Sequence, residues 1–329
     1  MATALLAAAL AVAPAAAFND TRVMTFNVLC PFCLSLGDGF ELYASAGRRL
    51  LHSAPLMTRR AWLVSPGILC SWPERLKDIG DILQRHNPHL IGIQELITDD
   101  NVRQLLEYLP NHDAIWANGT VIGGFFVNYP DATILYDRTV FDVLDKGWYW
   151  LSETPDRPSI GWTLSLFRIV IWARLRDRRS DTEFVFISTH FDNNGANKVP
   201  SANLFMNRTG AWVTDHNLPV IVTGDFNSEL DSDSYRILTE GTGDGFKLSN
   251  TYHMAADPRF ERNSDLPEYC GCPGSDVQWD NCLIDHVFVA GPPGISWRTT
   301  DWLVDVWQYL DGEPYFPSDH RAYVATVSF

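Results

Sequence analysis

The sequence lacks the short motifs by which several hydrolase classes are recognised. It contains no H-E-x-x-H pair of a zinc peptidase, no glycine-rich phosphate loop and no G-x-S-x-G elbow of a serine hydrolase. Cysteines are few, six in 329 residues, and they do not have zinc-finger spacing. Any catalytic chemistry therefore has to come from residues scattered along the chain.

The sequence also lacks internal repeats and any linker-like break in composition. Hydrophobic residues make up 46% and charged residues 20% of the chain, which is typical of a globular protein. Strand-like apolar runs are many, helical patterns are few, and the connections in the middle of the chain are long. This pattern predicts one α/β domain with mixed sheets rather than a doubly wound parallel sheet.

Basic residues are scarce relative to acidic ones. The chain has 25 lysines and arginines against 40 aspartates and glutamates, which gives a formal net charge of −15 at pH 7, and it has no basic cluster. Such a charge repels long polyanions unless local arginine, lysine or metal charge offsets it. The composition disfavours a dedicated nucleic-acid binder but leaves a metal-dependent nuclease open.

A long uncharged apolar stretch lies at the amino terminus, in residues 1–17. Because it ends in small residues, it predicts a secretory signal peptide cleaved near Ala17–Phe18 and a mature domain over residues 18–329. A membrane anchor is the alternative, but the stretch is short for a spanning helix and has a proline near its end. We therefore expect a secreted protein with no transmembrane segment in the mature chain.

Glycosylation and cysteine patterns agree with export. N-glycosylation acceptor tripeptides begin at Asn19, Asn118 and Asn207. The cysteines are Cys30, Cys33, Cys70, Cys270, Cys272 and Cys282. Their even number suits disulfides in an oxidising compartment, and their order alone leaves the pairing open. The spacing of Cys30 and Cys33 resembles a redox motif, but no thioredoxin-like βαβ pattern surrounds it, so a structural disulfide is favoured.

Hydrophobic periodicity predicts the strands and helices. Strands are predicted at residues 22–29, 90–96, 132–137, 148–152, 168–176, 183–190, 219–227, 283–290 and 322–329. Helices are predicted at residues 71–87, where Ser71 and Glu74 form a capping box, around residues 102–109, at about residues 200–216 and near residues 232–239. Residues 30–70 are predicted to form an inserted loop that is long enough to be functional.

Polar residues recur where these apolar strands end. They are Asn27, Glu95, His190, Asp225, Asn227, Asp285, His286, Asp319 and His320. Each alone is typical of a turn, a cap or a structural histidine. Together they supply hard oxygen ligands for a divalent ion, histidines for proton transfer and carboxylates to orient those histidines. Because enzymes built on sheets collect active groups at strand ends, we expect these side chains to converge on one site.

Six segments resemble those of the endonuclease/exonuclease/phosphatase superfamily, in the same order. They are TFNVL, PHLIGIQE, STHFD, TGDFN, IDHVF and SDH, and the resemblance extends over residues 22–329. Residues 148–177 further resemble a subgroup of that superfamily whose substrates are poorly defined. The resemblance implies a four-layer α/β sandwich, with two mixed β-sheets packed face to face and helices outside. It also implies hydrolysis of a phosphate ester with Mg²⁺ or Mn²⁺.

The same resemblance implies roles for the residues nearest the metal. Glu95 would be the main metal ligand, with Asn27 and Asp319 nearby. Asp225 would position or deprotonate the attacking water, and Asn227 would bind a phosphate oxygen. A divalent ion would reduce the repulsion between the anionic ester and the attacking oxygen.

Two histidines complete the implied site. His320, oriented by Asp285, would act as general base or stabilise charge on the phosphate. His190 would contact the phosphate or assist the leaving group. The division of the base role between Asp225 and the Asp285–His320 pair stays open.

Two further residues are candidate substrate contacts. Arg168 is explained equally well as a surface charge beside a strand. Asp192 matches an acid in the superfamily segment T-H-x-D-H. However, Asn193 and Lys198 stand where that segment and its surroundings usually have histidine and arginine, which weakens substrate contacts predicted on this loop.

The sequence thus predicts a monomeric, secreted, metal-dependent phosphoesterase. A sugar phosphate, another small molecule or a lipid headgroup is favoured as substrate over nucleic acid because of the acidic charge. An extracellular nuclease is one alternative. Another is a non-catalytic binding protein that keeps the fold and uses residues 30–70 as a partner-binding loop.

Overall fold

The computed structural model describes residues 17–29, 33–35, 41–43, 72–122, 125–243, 245–261, 283–306 and 317–329. The predicted signal peptide up to residue 16, most of the insert at 30–70, the predicted disulfides and the side chains of the predicted capping box lie outside the described residues. Those features stay predictions.

The described residues contain fifteen strands and five helices. The strands are β1 (Thr21–Asn27), β2 (Cys33–Ser35), β3 (Glu41–Tyr43), β4 (Leu90–Gln94), β5 (His112–Ile122), β6 (Phe125–Asp137), β7 (Phe141–Trp150), β8 (Ile169–Asp177), β9 (Thr182–His190), β10 (Val220–Asp225), β11 (Ser249–Asn250), β12 (Arg259–Glu261), β13 (Asp285–Ala290), β14 (Arg298–Asp305) and β15 (Ala322–Ser328). The helices are α1 (Trp72–His86), α2 (Asp99–Leu106), α3 (Gly195–Thr214), α4 (Asp233–Glu240) and α5 (Thr251–Met254).

Two mixed sheets carry the fold. The first has seven strands in the spatial order β12-β14-β15-β1-β4-β6-β5, and the second has six in the order β11-β13-β10-β9-β8-β7. The pairs β1–β4 and β9–β10 are parallel, whereas β1–β15 and β10–β13 are antiparallel. Strands β2 and β3 pair separately from both sheets. The mixed-sheet prediction is confirmed.

The layers are helix, sheet, sheet and helix. Successive residues of a strand point to opposite faces of its sheet, so one face packs against the other sheet and the opposite face packs against helices. Val23 and Ile221 belong to the core between the two sheets. Their neighbours point away from it: Met24 packs with the residues of α1 and α2, and Val222 packs with Phe205 of α3. Each fully buried aliphatic or aromatic side chain contributes about 2 kcal/mol to folding. The four-layer sandwich predicted from the resemblance is confirmed.

Six observed strands are missing from the predicted set: β2, β3, β5, β11, β12 and β14, of which β2 and β3 lie in the predicted loop at 30–70. The two long ones among them, β5 and β14, are irregular. In β5 the pairing register with β6 shifts between Ile115 and Ala117 and again between Ala117 and Thr120. In β14 it shifts between Thr299 and Asp301. An extra residue in a strand breaks the alternation of apolar and polar positions, which is the pattern that identifies a strand in sequence.

Two helix boundaries differ from the prediction. Helix α3 begins at Gly195 rather than near residue 200, because the side chain of Asn194 caps it by accepting a hydrogen bond from the backbone N–H of Ala196. Helix α2 ends at Leu106, before Leu109, although Leu109 is buried against the same core.

Candidate active site

Three polar side chains lie in one row at the end of β9, β10 and β13. Asp225, the last residue of β10, pairs in register with His190 of β9 on one side and with Asp285 of β13 on the other. Because side chains alternate along a strand, Asp225 shares a face with Ile221, which belongs to the core between the sheets. The row therefore faces the gap between the two sheets.

Asn27 reaches the same place from the other sheet, where it is the last residue of β1. Its Nδ2 donates to Oε1 of Glu95 at 2.9 Å and to Oδ2 of Asp225 at 3.0 Å, and its Oδ1 accepts from the backbone N–H of Leu29 at 3.0 Å. The amide nitrogen, not the oxygen, thus faces the two acids. Asn27 bridges the carboxylates here, and its predicted role as a metal ligand stays a prediction.

Left-handed backbone occurs at three residues of this site. Leu29, Glu95 and Asn227 have φ angles of 56°, 71° and 47°. Such conformations cost about 1 to 3 kcal/mol each at a non-glycine residue and persist where the surroundings enforce them. At Glu95 the backbone N–H donates to the carbonyl of Asp131 at 2.9 Å, which fixes the turn after β4. The strain lies where side chains leave their strands to enter the site.

His320 and Asp285 form the first acid–imidazole pair. Nδ1 of His320 lies 2.7 Å from Oδ2 of Asp285. Burial lowers the pKa of His320, but the charges of Asp285 and Asp225 outweigh it and raise that pKa well above its usual range. Burial raises the pKa of Asp285 to about 6, and Asp225 opposite it adds to the rise while His320 opposes it. This is the predicted pairing, and the raised pKa favours the protonated form of His320.

His190 and Asp131 form a second pair that the sequence analysis missed. Nδ1 of His190 lies 2.9 Å from Oδ1 of Asp131. Nη1 of Arg168 lies 2.7 and 2.8 Å from the two ring nitrogens of His190. Burial and Arg168 lower the pKa of His190, but Asp131 and Asp225 outweigh them and raise it. Arg168 is buried beside the histidine, so it is not the surface charge that the sequence left open.

Asp131 carries a signal that sequence reasoning could have used. It immediately precedes the predicted strand at residues 132–137, so it is a polar residue at a strand end like the others. In the structure Asp131 lies inside β6, and the antiparallel pairing of β4 with β6 puts it beside Glu95, which follows β4.

Asp225 lies between the two pairs. Its Oδ2 is 3.4 Å from Nε2 of His190 and 3.7 Å from Nε2 of His320. Its Oδ1 accepts from the backbone N–H of Asn227 at 2.8 Å. Burial raises the pKa of Asp225, but the two histidines, the Asn227 N–H and the Asn27 amide outweigh it and lower that pKa. Asp225 is therefore a carboxylate, surrounded by donors and positive charge.

Asn227 is held beside this carboxylate. Its side-chain Nδ2 donates to the carbonyl of Phe191 at 3.0 Å, which ties the loop after β10 to the loop after β9. Its predicted contact with a phosphate oxygen stays a prediction.

A buried arginine, Arg75 of α1, fixes the loop that carries Asp319 and His320. Its Nη1 donates to the carbonyls of Val28 and Pro317 at 2.7 and 2.8 Å, and its Nη2 donates to the carbonyl of Leu29 at 3.0 Å. In addition, Ser318 of that loop donates from Oγ to the carbonyl of Asn27 at 2.7 Å. The end of β1 and the 317–320 loop are thereby locked together.

Asp192 has a bracing role in the structure. Its Oδ2 accepts from Nδ2 of Asn197 at 2.6 Å and from the hydroxyl of Ser165, and its Oδ1 accepts from the backbone N–H of Asn194 at 3.0 Å. These bonds join the loop before Arg168 to the start of α3. The predicted substrate contact of Asp192 stays a prediction.

His286 shows that polarity at a strand end does not by itself place a residue in the site. As the neighbour of Asp285 on β13, it points to the opposite face, and its Nε2 lies 2.8 Å from the carbonyl of Ser228. Burial lowers the pKa of His286 to about 4, with the hydrogen bond to Ser228 opposing the change. It is a neutral histidine of the outer core.

The donor set fits a hard divalent cation. Asp225, Asp285 and His320 have side-chain atoms that all lie within 4.8 Å of one another, and the two carboxylates are the oxygen donors among them. The predicted ligand Glu95 adjoins this cluster through the Asn27 bridge. Oδ1 of Asp285 is buried without a hydrogen-bond partner, so it has acceptor capacity to spare. Carboxylate oxygens are the ligands that Mg²⁺ and Mn²⁺ prefer.

Comparison with known families decides what this geometry represents. The family model for the Endonuclease/Exonuclease/phosphatase family matches residues 24–320. The chain belongs to this family. Enzymes of the family are hydrolases that act on phosphate esters, and they generally use divalent metals. The superfamily inferred from the six sequence segments is confirmed.

Solved structures of the family are similar along almost the whole chain. An endonuclease/exonuclease/phosphatase family protein of Bacteroides thetaiotaomicron is 25% identical with a TM-score of 0.68, and the match covers 94% of this chain and 95% of that one. A mannosyl-6-phosphatase of the same bacterium is also 25% identical with a TM-score of 0.68, and the match covers 94% of this chain and 100% of that one.

Among curated proteins, an uncharacterized protein of Acanthamoeba polyphaga mimivirus is 28% identical over 127 residues, which is 37% of this chain. The match spans less than half of that protein, 46% of its length. Within the part of the chain that the structure describes, no helix is both long and apolar enough to cross a membrane.

Proposed function

We propose that the protein is a secreted, divalent-metal-dependent phosphoesterase. The observation that carries this proposal is the position of Asp225, a carboxylate flanked by two acid–imidazole pairs and joined to Glu95 through one amide nitrogen. A purely structural carboxylate needs one or two partners. Asp225 has more: its partners come from strands of both sheets and meet it in the gap between the sheets.

The two sides of the site have complementary tasks. Asp225, as a carboxylate, holds the attacking water by accepting its hydrogen bond. His320 and His190, whose pKa values are raised by Asp285 and Asp131, donate to the phosphate oxygens as negative charge develops on them. Arg168 adds a permanent positive charge on the side of His190. Asn227 would bind a further phosphate oxygen.

Mg²⁺ or Mn²⁺ would be held by Glu95 together with Asp319 and the acids of the cluster around Asp225. When bound, the ion supplies a Lewis acid that polarises the phosphate ester and reduces charge repulsion. The protein itself supplies the orientation of the water and the hydrogen bonds to the phosphate.

The favoured substrate is a small phosphate ester, either a sugar phosphate, another metabolite or a lipid headgroup. The net charge of −15 opposes the approach of long nucleic acids, which are densely anionic. The similarity to a mannosyl-6-phosphatase supports a phosphorylated sugar among these. The predicted signal peptide, glycosylation tripeptides and cysteine pattern support secretion.

The test is hydrolysis by the purified protein of 4-nitrophenyl phosphate, bis(4-nitrophenyl) phosphate, mannose 6-phosphate, sphingomyelin and plasmid DNA. Each is assayed with Mg²⁺, Mn²⁺ or EDTA. We expect turnover of a small ester with metal, and loss of that turnover both with EDTA and in Glu95→Gln. The matched control is Glu240→Gln, which changes an exposed glutamate at the end of α4.

Absence of turnover on all five substrates with both metals would contradict the enzymatic function and favour the non-catalytic binding protein. Turnover confined to plasmid DNA would favour the extracellular nuclease. Secretion is tested separately, by expressing the full chain in a eukaryotic host and asking whether the medium contains a protein that begins at Phe18.

A further inference from the structure

Exposed apolar side chains concentrate beside the candidate site. The large hydrophobic residues exposed in the described part of the chain are Ile97, Val121, Leu144, Ile160, Leu164, Leu166 and Val199. Four of them lie in the loop before β8 and in the first turns of α3, which this loop contacts. We call Ile160, Leu164, Leu166 and Val199 the apolar rim. Leu164 is 88% and Leu166 is 56% exposed, the highest values of the set.

The rim is held in place by hydrogen bonds. The backbone N–H and the hydroxyl of Thr163 both donate to Oδ1 of Asn197, each at 2.9 Å. The hydroxyl of Ser165 donates to Asp192, and the hydroxyl of Tyr129 donates to the carbonyl of Phe167 at 2.7 Å. The loop therefore holds its leucines exposed to water in a fixed geometry. Such exposure is unfavourable, since burying the leucines would stabilise the protein.

The rim adjoins the reacting groups. Leu166 is two residues before Arg168, whose Nη1 lies 2.7 Å from Nδ1 of His190. Asp192, two residues after His190, holds the loop on the other side. A molecule that covers the rim consequently has its polar part next to the phosphate-binding side of the site.

The shape and chemistry of the rim favour a lipid surface as the partner. A side chain that is 88% exposed protrudes, whereas sites for single small ligands are concave. The rim is wholly aliphatic, whereas the residues that dominate protein–protein binding are mostly tryptophan, tyrosine and arginine. Nearby charges balance in sequence: Glu153 and Asp156 accompany Arg157 and Lys198. An aliphatic protrusion without net local charge suits an uncharged or zwitterionic bilayer.

We propose that the apolar rim docks onto a zwitterionic phospholipid surface and presents a lipid phosphate ester to the site. The substrate part of this inference rests on the proposed phosphoesterase function. The docking part rests on the rim alone. The headgroup of a docked lipid would reach toward Arg168 and His190, while the acyl chains stay in the bilayer against the leucines.

The experiment measures flotation of the protein with vesicles of phosphatidylcholine and sphingomyelin, and release of phosphorylated headgroup from them. The variant is Leu164→Ser/Leu166→Ser. The matched control is Leu144→Ser, since Leu144 is a 38% exposed leucine of β7, outside the rim. Hydrolysis of bis(4-nitrophenyl) phosphate, which needs no bilayer, is measured in parallel.

We expect vesicle binding and headgroup release to fall about tenfold in the double variant and to be unchanged in Leu144→Ser. Hydrolysis of the soluble ester should be the same in all three proteins. Flotation that is absent in the native protein, or equal in the two variants, overturns docking. Flotation without headgroup release overturns the lipid as substrate.

These outcomes also separate this proposal from the one on which it rests. Soluble turnover without vesicle binding contradicts the rim and leaves the phosphoesterase standing. Vesicle binding that depends on Leu164 and Leu166, without turnover of any ester, supports docking and contradicts the enzyme. Loss of soluble turnover in the double variant would mean that the loop shapes the site itself, and it would overturn docking as the reason for the exposed leucines.

Discussion

The two acid–imidazole pairs beside Asp225 have the same composition and different surroundings. Both rings face two carboxylates. The side chain of His190 is 2% exposed and also has the guanidinium of Arg168 against its ring, whereas the side chain of His320 is 15% exposed. Positive charge on the His190 side is permanent, because Arg168 does not lose its proton. On the His320 side it depends on pH. The comparison shows that one motif occurs twice beside Asp225, once with a permanent cation against it and once without one in contact with the ring.

The pairs also differ in what holds them. Arg168 touches its histidine directly, whereas Arg75 acts on the other pair through backbone carbonyls at 2.7 to 3.0 Å. A buried arginine therefore supports each side, one by charge and one by position. Substitutions that remove these supports should have different kinetic signatures.

Removing the carboxylate that both pairs share should have the largest effect. We predict that Asp225→Asn lowers kcat on a small phosphate ester by about 10³-fold, since the water loses its anionic acceptor and both histidines lose a charge partner. Steady-state kinetics of purified protein measure this. Asp142→Asn, which alters an exposed ion pair with Arg178, is the control and should keep native kcat. A kcat for Asp225→Asn within tenfold of native would contradict the central place of Asp225.

The two histidines should be unequal. We predict that His320→Asn lowers kcat by about 10²-fold, whereas His190→Asn lowers it by about tenfold because Arg168 still supplies positive charge. The double variant His190→Asn/Arg168→Met should then fall to the level of His320→Asn or below. Equal losses in the two single variants would mean that Arg168 does not compensate, and the distinction between fixed and titratable charge would be wrong.

The sequence predicts most of the residues in this comparison but not all of them. Asp225 and Asp285 were found because they end or interrupt an apolar run, and His320 because it lies just before one; the order of the segments identified the family. Asp131, the partner of His190, was missed because it lies in the first part of β6, which was not predicted as a strand. The orientation of the Asn27 amide and the positive φ of Glu95 depend on contacts between strands that are distant in the chain, so no local pattern encodes them.

The role of Arg75, which acts through hydrogen bonds to backbone carbonyls, cannot be predicted from the sequence for the same reason. Arg75 looks like an ordinary charged residue of an amphipathic helix, and only the fold brings the carbonyls of Val28 and Pro317 to it. The bulges of β5 and β14 erased the alternation that would have shown those strands.

The support of the His320 side can be weakened without touching its side chains. We predict that Arg75→Lys lowers kcat about tenfold with little change in KM, because a lysine cannot hold the carbonyls of both segments and His320 shifts relative to Asp225. Arg75→Met should in addition lower the free energy of unfolding by about 3 kcal/mol, since it leaves buried carbonyls unpaired.

Kinetics and denaturant unfolding on the same samples measure both effects. Arg103→Lys, on the exposed face of α2, is the control. An Arg75→Lys enzyme with native kcat would show that this clamp stabilises the fold without positioning the site.

A buried histidine that points away from the site, His286, offers a contrast with His190 and His320. His286 has a folded-state pKa of about 4 against an ordinary value of 6.5, so the unfolded chain binds a proton more readily between these values. Its contribution to stability is complete above pH 6.5 and is lost as the pH falls toward 4. The loss amounts to about 3 kcal/mol.

We predict that His286→Asn flattens the dependence of the free energy of unfolding on pH in that window, while kcat changes less than twofold. Urea unfolding at a series of pH values measures the slope. If the variant keeps the native dependence of the free energy of unfolding on pH, the acid sensitivity belongs to other groups. A large loss of kcat would show that His286 contributes to the site.

The most direct measurement is the dependence of kcat/KM on pH for the native enzyme, Asp285→Asn and Asp131→Asn. If His320 acts as an imidazolium, activity falls as the pH rises through its elevated pKa. Asp285→Asn lowers that pKa and moves the fall to lower pH, whereas Asp131→Asn leaves it in place because Arg168 keeps its charge. An unchanged alkaline side, with the acid side moving to lower pH in Asp285→Asn, would show instead that His320 takes a proton and would contradict the charge-stabilising role.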